Sequence, residues 1–370
     1  MSKTNNVTES IQSIYDKGPK YLSTISSSSF MWMANSATVS PSVDHKDNKL
    51  HITPSNLALT PHRSLEINQT QFLFSELFNN TDQFRVHLPS PNYFRDEGAA
   101  NHIRFAPSLE SKGLHLMVYS CESEQIEKDV TDSFPGRQTK EASKFIIQQQ
   151  GVSDSQVVFA KQNSDSVQQG IFHNDVISSG HLDLFITHEL AFEDTNLVIN
   201  DLQSKYYALH KENLNVVVIK ESMLSIKECV LTYFFNMQII SPNSNDMELI
   251  LPMECLGNQR IQTVLTYIQE KEERIKDIHY VQLNESMKNG GGPACLRLRL
   301  QLTMPQWTVI PSKFKFNDKL YKDLIEIIQT NYPESFEIEN QIETEFIQRL
   351  RNTYNLLYQA FGLENSNFLW

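Results

Sequence analysis

Three segments carry side chains that could act together on one electrophilic carbon. "NGGGPAC" ends at Cys295, "GIFHNDV" carries His173 and Asp175, and "RDEGAANHIRF" carries Glu97 and His102. A thiol attacks as its thiolate, so it needs a base within reach and a group that orients the base. His173 or His102 can fill the first role, and Glu97 the second as an orienting or acid/base carboxylate. Asp175 lies among apolar residues, where a buried carboxylate must find partners. Gly290, Gly291 and Gly292 take a quarter of the chain's 12 glycines. Glycine lets a backbone reach positive φ and approach a neighbour closely, and Pro293 then fixes the exit from the turn. The plainer alternative is a hairpin turn ahead of a core cysteine, with His173 a satisfied interior residue and Glu97 a loop carboxylate.

Other chemistries fit less well. His173, His102, Glu97 and Cys295 could ligate zinc, yet no H-E-x-x-H or paired-cysteine spacing supports it. "GGGPAC" is not a dinucleotide fingerprint and precedes a strand pattern, and no P-loop is found. The local cysteine signatures of papain-like and caspase-like proteases are missing. Cys121, Cys229, Cys255 and Cys295 form no C-x-x-C pair. Cysteines of this kind are mostly buried fillers, and disulfides are not expected in a cytosolic chain.

The elements that must position these groups alternate between strand and helix patterns. "LHLMVYS" (114–120), "SQVVFA" (155–160), "QGIFHNDVISSG" (169–180), "HLDLFITHELAF", "LNVVVIK" (214–220), "MELILPM" and "IHYVQL" read as strands. "CLRLRLQL" alternates apolar and polar residues with period two, which predicts a half-buried strand directly after the turn. "GRQTKEASKFIIQQQG" reads as a helix stopped by Gly151. "SIKECVLTYFF" opens with Ser225 and Glu228 at capping-box spacing. "QRIQTVLTYIQEKEERI" reads as another helix, and the C-terminal tail as two amphipathic ones. A short helix in "SIQSIYDKGPKYLSTI" should end at Gly18-Pro19. Repeated strand–helix–strand units without a low-complexity linker predict one large α/β domain, and no repeat is visible in the letters.

Composition excludes several classes. The net charge is −12, from 32 Lys+Arg against 44 Asp+Glu, with no basic cluster, so nucleic-acid binding is not expected. No apolar run approaches the roughly 18 residues of a membrane span. The polar start "MSKTNNVTESIQSIYDKG" lacks a signal core, so a cytoplasmic location is expected.

Eight segments in order resemble one family, the N-succinylarginine dihydrolases of the guanidine-modifying, amidinotransferase-like superfamily. They are "MWMANSATVSPS" (31–42), "HITPSNL" (51–57), "HRSLE" (62–66), "DEGAANHIRF" (96–105), "RQTKEAS" (137–143), "QNSDSVQQGIFHNDVI" (162–177), "FNMQIIS" (235–241) and "NESMKNGGGPACLRLRL" (284–300). The resemblance implies a five-bladed α/β propeller of the pentein type. It implies Cys-dependent hydrolysis of N2-succinylarginine with two waters to N2-succinylornithine, two ammonia and carbon dioxide. That is a hydrolase acting on C–N bonds of a linear amidine, in arginine catabolism by the succinyltransferase pathway. No metal or organic cofactor is implied, and a homodimer is.

By the same resemblance the catalytic residues are Cys295, His173 and Glu97. The substrate contacts are Asn35, His62, Arg63, Arg137, Asp175 and Asn289. The glycines would then form a wall without Cβ atoms on which a flat guanidinium lies, with Asn289 at one end and Cys295 at the other. The sequence departs from the family in a shortened, divergent N-terminal segment (1–25) ahead of a single propeller domain (26–370), with the first blade incomplete. It also has Arg95 where glycine is usual and Asn284 where arginine is usual. Two alternatives follow: an inactive truncated relative that serves as a binding protein, or a guanidine hydrolase of other specificity, arginine deiminase-like.

Overall fold

A computed structural model describes residues 7–25, 31–125, 134–243 and 246–363. The "SSSSF" segment, and with it the expected boundary after residue 25, falls at or beyond the edge of these. Four three-stranded sheets follow one another along the chain. They are β1 Ala37–Ser40, β2 Leu50–Pro54 and β3 Phe84–Val86; β4 His102–Phe105, β5 Leu114–Tyr119 and β6 Val157–Lys161; β7 Ser178–His181, β8 Leu184–His188 and β9 Asn215–Ile219; and β10 Gln238–Ile240, β11 Met247–Pro252 and β12 Ile275–Val281.

Every sheet has the same plan. The first two strands pair antiparallel, and the middle strand pairs parallel with the third. A parallel partner needs a crossover, and helices supply it: Ile67–Leu77, Lys140–Gln150, Thr195–His210 and Gln259–Lys271 in turn. Strands β2, β5 and β8 are buried at every position, so the polar residues they carry, such as His51 and Thr53 of β2, lie inside as well. The repeat that the letters hide is therefore a repeat of ββαβ units. Phe105, Phe185, Tyr206, Phe234 and Phe235 fill the core between and beneath the sheets.

Three expectations change. The first sheet was expected to be incomplete, yet it has three strands like the other three. "CLRLRLQL" is no strand: Pro293–Leu296 is a turn, and residues 297–303 run on without a ladder. The alternation is there, but a strand needs a ladder of backbone N–H and C=O bonds, and here the bonds to neighbouring chain come from side chains, as from Arg299 Nη2 to Ile239 O at 2.6 Å. Within 169–180 the chain forms a 3-10 turn, Asn174–Val176, before β7. There the His-Asn-Asp groups bond neighbouring turns rather than a ladder.

The chain divides into two compact units, Phe30–Gln71 with Thr81–Thr303, and Met1–Ser29 with Phe72–Asn80 and Met304–Trp370. The C-terminal helices Asp318–Asn331 and Thr344–Ala360 thus group with Val7–Lys17 and Pro19–Ile25 instead of with the sheets. Tyr15 donates to Glu339 there. No helix among the described residues is long and apolar enough to cross a membrane.

Candidate active site

Each sheet is entered through a short 3-10 turn just before its first strand: Met33–Asn35, Gly98–Asn101, Asn174–Val176 and Phe234–Asn236. An asparagine side chain takes part in each bond from one of these turns to the next. Asn35 Nδ2 donates to Glu97 O at 2.8 Å. Asn174 N donates to Asn101 Oδ1 at 3.0 Å. Asn236 Nδ2 donates to Asp175 O at 3.2 Å. The turn Pro293–Leu296 completes the circuit: Cys295 N donates to Asn236 Oδ1 at 3.2 Å, and Ala34 N donates to Cys295 O at 3.1 Å. Five separate pieces of chain are thereby stitched turn to turn, and the predicted chemical groups stand on them.

Glu97 is fully buried. Its N–H donates to Gln138 Oε1 at 2.8 Å, and Arg63 Nη1 donates to its Oε2 at 2.6 Å. His173 Nε2 lies 3.3 Å from the same oxygen. Burial alone would raise the Glu97 pKa, but Arg63, His173 and Arg137 outweigh it and bring it to about 2. Burial lowers the pKa of His173 against the opposing pull of Glu97. His173 is thus a neutral imidazole leaning on a carboxylate that Arg63 keeps ionised, an arrangement suited to moving protons.

Cys295, 4% exposed, has Sγ 3.5 Å from Asp175 Oδ2 and 3.2 Å from Asn236 Nδ2. Burial, and then the Asp175 charge, push its pKa well above the usual thiol range. Burial also raises Asp175. The free site therefore holds a protonated thiol beside a carboxylate that resists its charge. A cation placed between them would reverse both tendencies, since an opposite charge favours each ionised form.

Arg137 lies over the Phe172 ring, 4.3 Å from its centroid. Arg63 is 4% exposed, and its Nε and Nη2 have no hydrogen-bond partner among the described residues. His62, half-buried, sits beside Arg63, and burial followed by the Arg63 charge lowers its pKa. Asn289 is exposed and donates to Glu285 O of its own helix at 2.7 Å, so the structure does not bring it into this cluster. His102 belongs to another network: its Nε2 meets His115 Nδ1 at 2.9 Å, and His115 meets Asp44. Arg95 finds a seat by donating to Gly136 O at 2.8 Å.

The glycines have a different purpose from a guanidinium wall. Gly290 has φ +93°, a Cβ on Gly291 would overlap the Trp32 indole, and one on Gly292 would lie 2.8 Å from Asn236 Oδ1. The turn is stripped of side chains to receive two of the protein's own. Sequence reasoning missed Asn236 and Arg297. Asn236 lies inside the quoted segment "FNMQIIS". Arg297 is two residues past Cys295, its Nε is buried without a partner among the described residues, and its charge is felt by Asp175.

Fold and site define a class: an α/β protein of successive ββαβ sheets whose entry turns surround a buried cysteine, a histidine and two carboxylates. The family profile of succinylarginine dihydrolase (AstB) matches residues 2–368. An N-succinylarginine dihydrolase of Hahella chejuensis is 36% identical over 349 residues, 94% of this chain and 78% of the relative. One of Paraburkholderia xenovorans is 36% identical over 347 residues, 93% and 77%. The chain belongs to the succinylarginine dihydrolase family. Among solved structures, an arginine dihydrolase from the ornithine–ammonia cycle in cyanobacteria superposes with a TM-score of 0.45 at 14% identity, over 86% of this chain and 44% of that one.

Proposed function

We propose that the protein hydrolyses N2-succinylarginine to N2-succinylornithine, two ammonia and carbon dioxide, with Cys295 as nucleophile, His173 as acid and base, and Glu97 orienting His173. The observation that carries this is the setting of Cys295, with Asp175 and Asn236 both against its sulfur and the His173–Glu97 pair on the neighbouring turn. A guanidinium is a delocalised cation and a poor electrophile. Held by Asp175, it stays protonated and keeps its central carbon open to attack.

The steps balance. Cys295 passes its proton to His173 as Sγ bonds the guanidinium carbon. A terminal C–N bond breaks, and His173 returns the proton to the departing ammonia. Water, deprotonated by His173, then attacks that carbon, the S–C bond breaks, the proton on His173 returns to the Cys295 sulfur, and the cation's own proton leaves with the ammonia as ammonium, giving a ureido product. A second cycle on that carbon releases the other terminal nitrogen as ammonia and the carbon as carbon dioxide, leaving the amine. Two waters are consumed.

Arg63 and Arg137 suit the succinyl end, since planar guanidinium groups bind carboxylates through paired hydrogen bonds. The circuit of entry turns supports a five-bladed propeller in which residues 296–302 hold the innermost position of the fifth blade. A cytoplasmic homodimer completes the proposal; light scattering tests its mass.

Purified protein given succinylarginine should release ammonia and succinylornithine, whereas arginine and agmatine should give little. Cys295→Ala should abolish both products. Turnover that survives this substitution, or well-folded wild type that releases no ammonia, defeats the proposal.

A further inference from the structure

We infer that Asn236 is the hydrogen-bond donor that stabilises the Cys295 thiolate, and that position 292 is glycine in order to admit it. The inference rests on Cys295 being the nucleophile.

Asn236 is fully buried, and its side chain uses its whole capacity of two donors and an acceptor oxygen. Oδ1 accepts from Ala294 N at 3.0 Å and from Cys295 N at 3.2 Å. Nδ2 donates to Asp175 O at 3.2 Å and to Cys295 Sγ at 3.2 Å. An amide's O and N are otherwise easily exchanged, but here the partners fix them. A flipped group would set its N–H bonds against the N–H groups of Ala294 and Cys295. The donor therefore faces sulfur.

The sulfur also meets a carboxylate oxygen of Asp175, which opposes a thiolate, and burial opposes it too. A donor at 3.2 Å works the other way, because hydrogen bonds to an ionised group are stronger than those to a neutral one. Mere pinning of the turn would need only Oδ1. Gly292 belongs to the same device, since any Cβ there would stand 2.8 Å from Oδ1 and push the amide off both backbone N–H groups and the sulfur.

Asn236→Asp separates the two roles. A carboxylate oxygen can still accept from Ala294 N and Cys295 N, while the other now presents lone pairs and charge to Sγ. The experiment measures iodoacetamide alkylation of Cys295 against pH, read by peptide mass, with buried Cys121, Cys229 and Cys255 as internal controls. N236D should move the half-maximal pH upward by about one unit or more. Its kcat for succinylarginine should fall more than its KM changes. Gly292→Ala should move the profile the same way.

A folded N236D whose profile overlays the wild type overturns the inference. If N236D does not fold, G292A decides: an upward shift supports the inference and an unshifted profile overturns it. The alkylation readout needs no turnover. Wild type that releases no ammonia would sink the dihydrolase proposal while leaving the Asn236 result to stand or fall alone.

Discussion

At Glu97 and Asp175 the same functional group is tuned in opposite directions. Glu97 is fully buried and Asp175 partly so, and burial raises each. At Glu97 the Arg63 charge, His173 and Arg137 more than cancel that and leave a pKa of about 2. At Asp175, His173, Cys295, Asn236 and Arg297 offset burial only in part, and the pKa stays raised. Environments that push two carboxyls apart suit them to different roles, and the proposed reaction uses Glu97 as a fixed charge that aims His173 and Asp175 as the group that meets the substrate's cation. Glu97→Gln should therefore lower kcat by about two orders of magnitude or more with a smaller change in KM. Because Glu97 is ionised throughout, the wild-type rate between pH 5 and 9 should show no step from it; ammonia release across that range checks both points. Cys295, His173, Glu97 and Asp175 were legible because their residue types announce chemistry. Asn236 was not, since an amide announces nothing until its four partners are seen, and these lie about 60 residues away. For the same reason the three glycines suggested a surface for substrate, when what fills them is Trp32 and Asn236.

The helix Ile226–Thr232 leads straight into the turn that carries Asn236. Its start is fixed by a capping box: Ser225 Oγ accepts from Glu228 N, and Glu228 Oε2 accepts from Ser225 N at 2.9 Å. Ser225→Ala should cost about 1 kcal/mol of stability, seen as a lower urea midpoint with unchanged slope, while succinylarginine turnover persists. A cap is local, so its three-residue spacing could be read from the letters. Two crossover helices, Lys140–Gln150 and Gln259–Lys271, and the strands after them were legible for the same reason of period and punctuation, whereas Ile67–Leu77, Thr195–His210 and the strand Phe84–Val86 went unread. The stretch after Cys295 was not. Its alternation satisfies the pattern of a strand, but pairing is decided by a second piece of chain, and sequence periodicity holds no information about whether one is present. The boundaries of the entry turns were also lost, because 3-10 turns of three or four residues are too short to show a period.

At the scale of the whole molecule, several buried histidines are kept neutral by their surroundings. Burial, and then the charge His51 would carry, bring His45 and His87 to about 4, against the pull of Asp44 and Asp47 on His45 and of Asp47 on His87. Burial, followed by His115, brings His102 to about 3. His45 stacks on His51, and His51 bonds His87. A folded pKa below the unfolded value near 6.5 means that the unfolded chain takes up protons first as pH falls. This part of the stability is fully present above pH 6.5 and is lost progressively on the way down toward 4. Urea midpoints should fall steadily between pH 7 and pH 5; a flat series would contradict the neutral histidines. The bonds between entry turns join residues 62, 73, 61 and 59 apart in sequence. Closing each loop costs chain entropy before the bond repays it, and contacts of such long separation slow folding. Chains emerge N-terminus first, so the turn bearing Cys295 arrives after every other piece of the circuit. A nascent chain thus displays His173 and Glu97 before it holds Cys295, so the sulfur that the proposed reaction uses is made only after the other turns that would surround it.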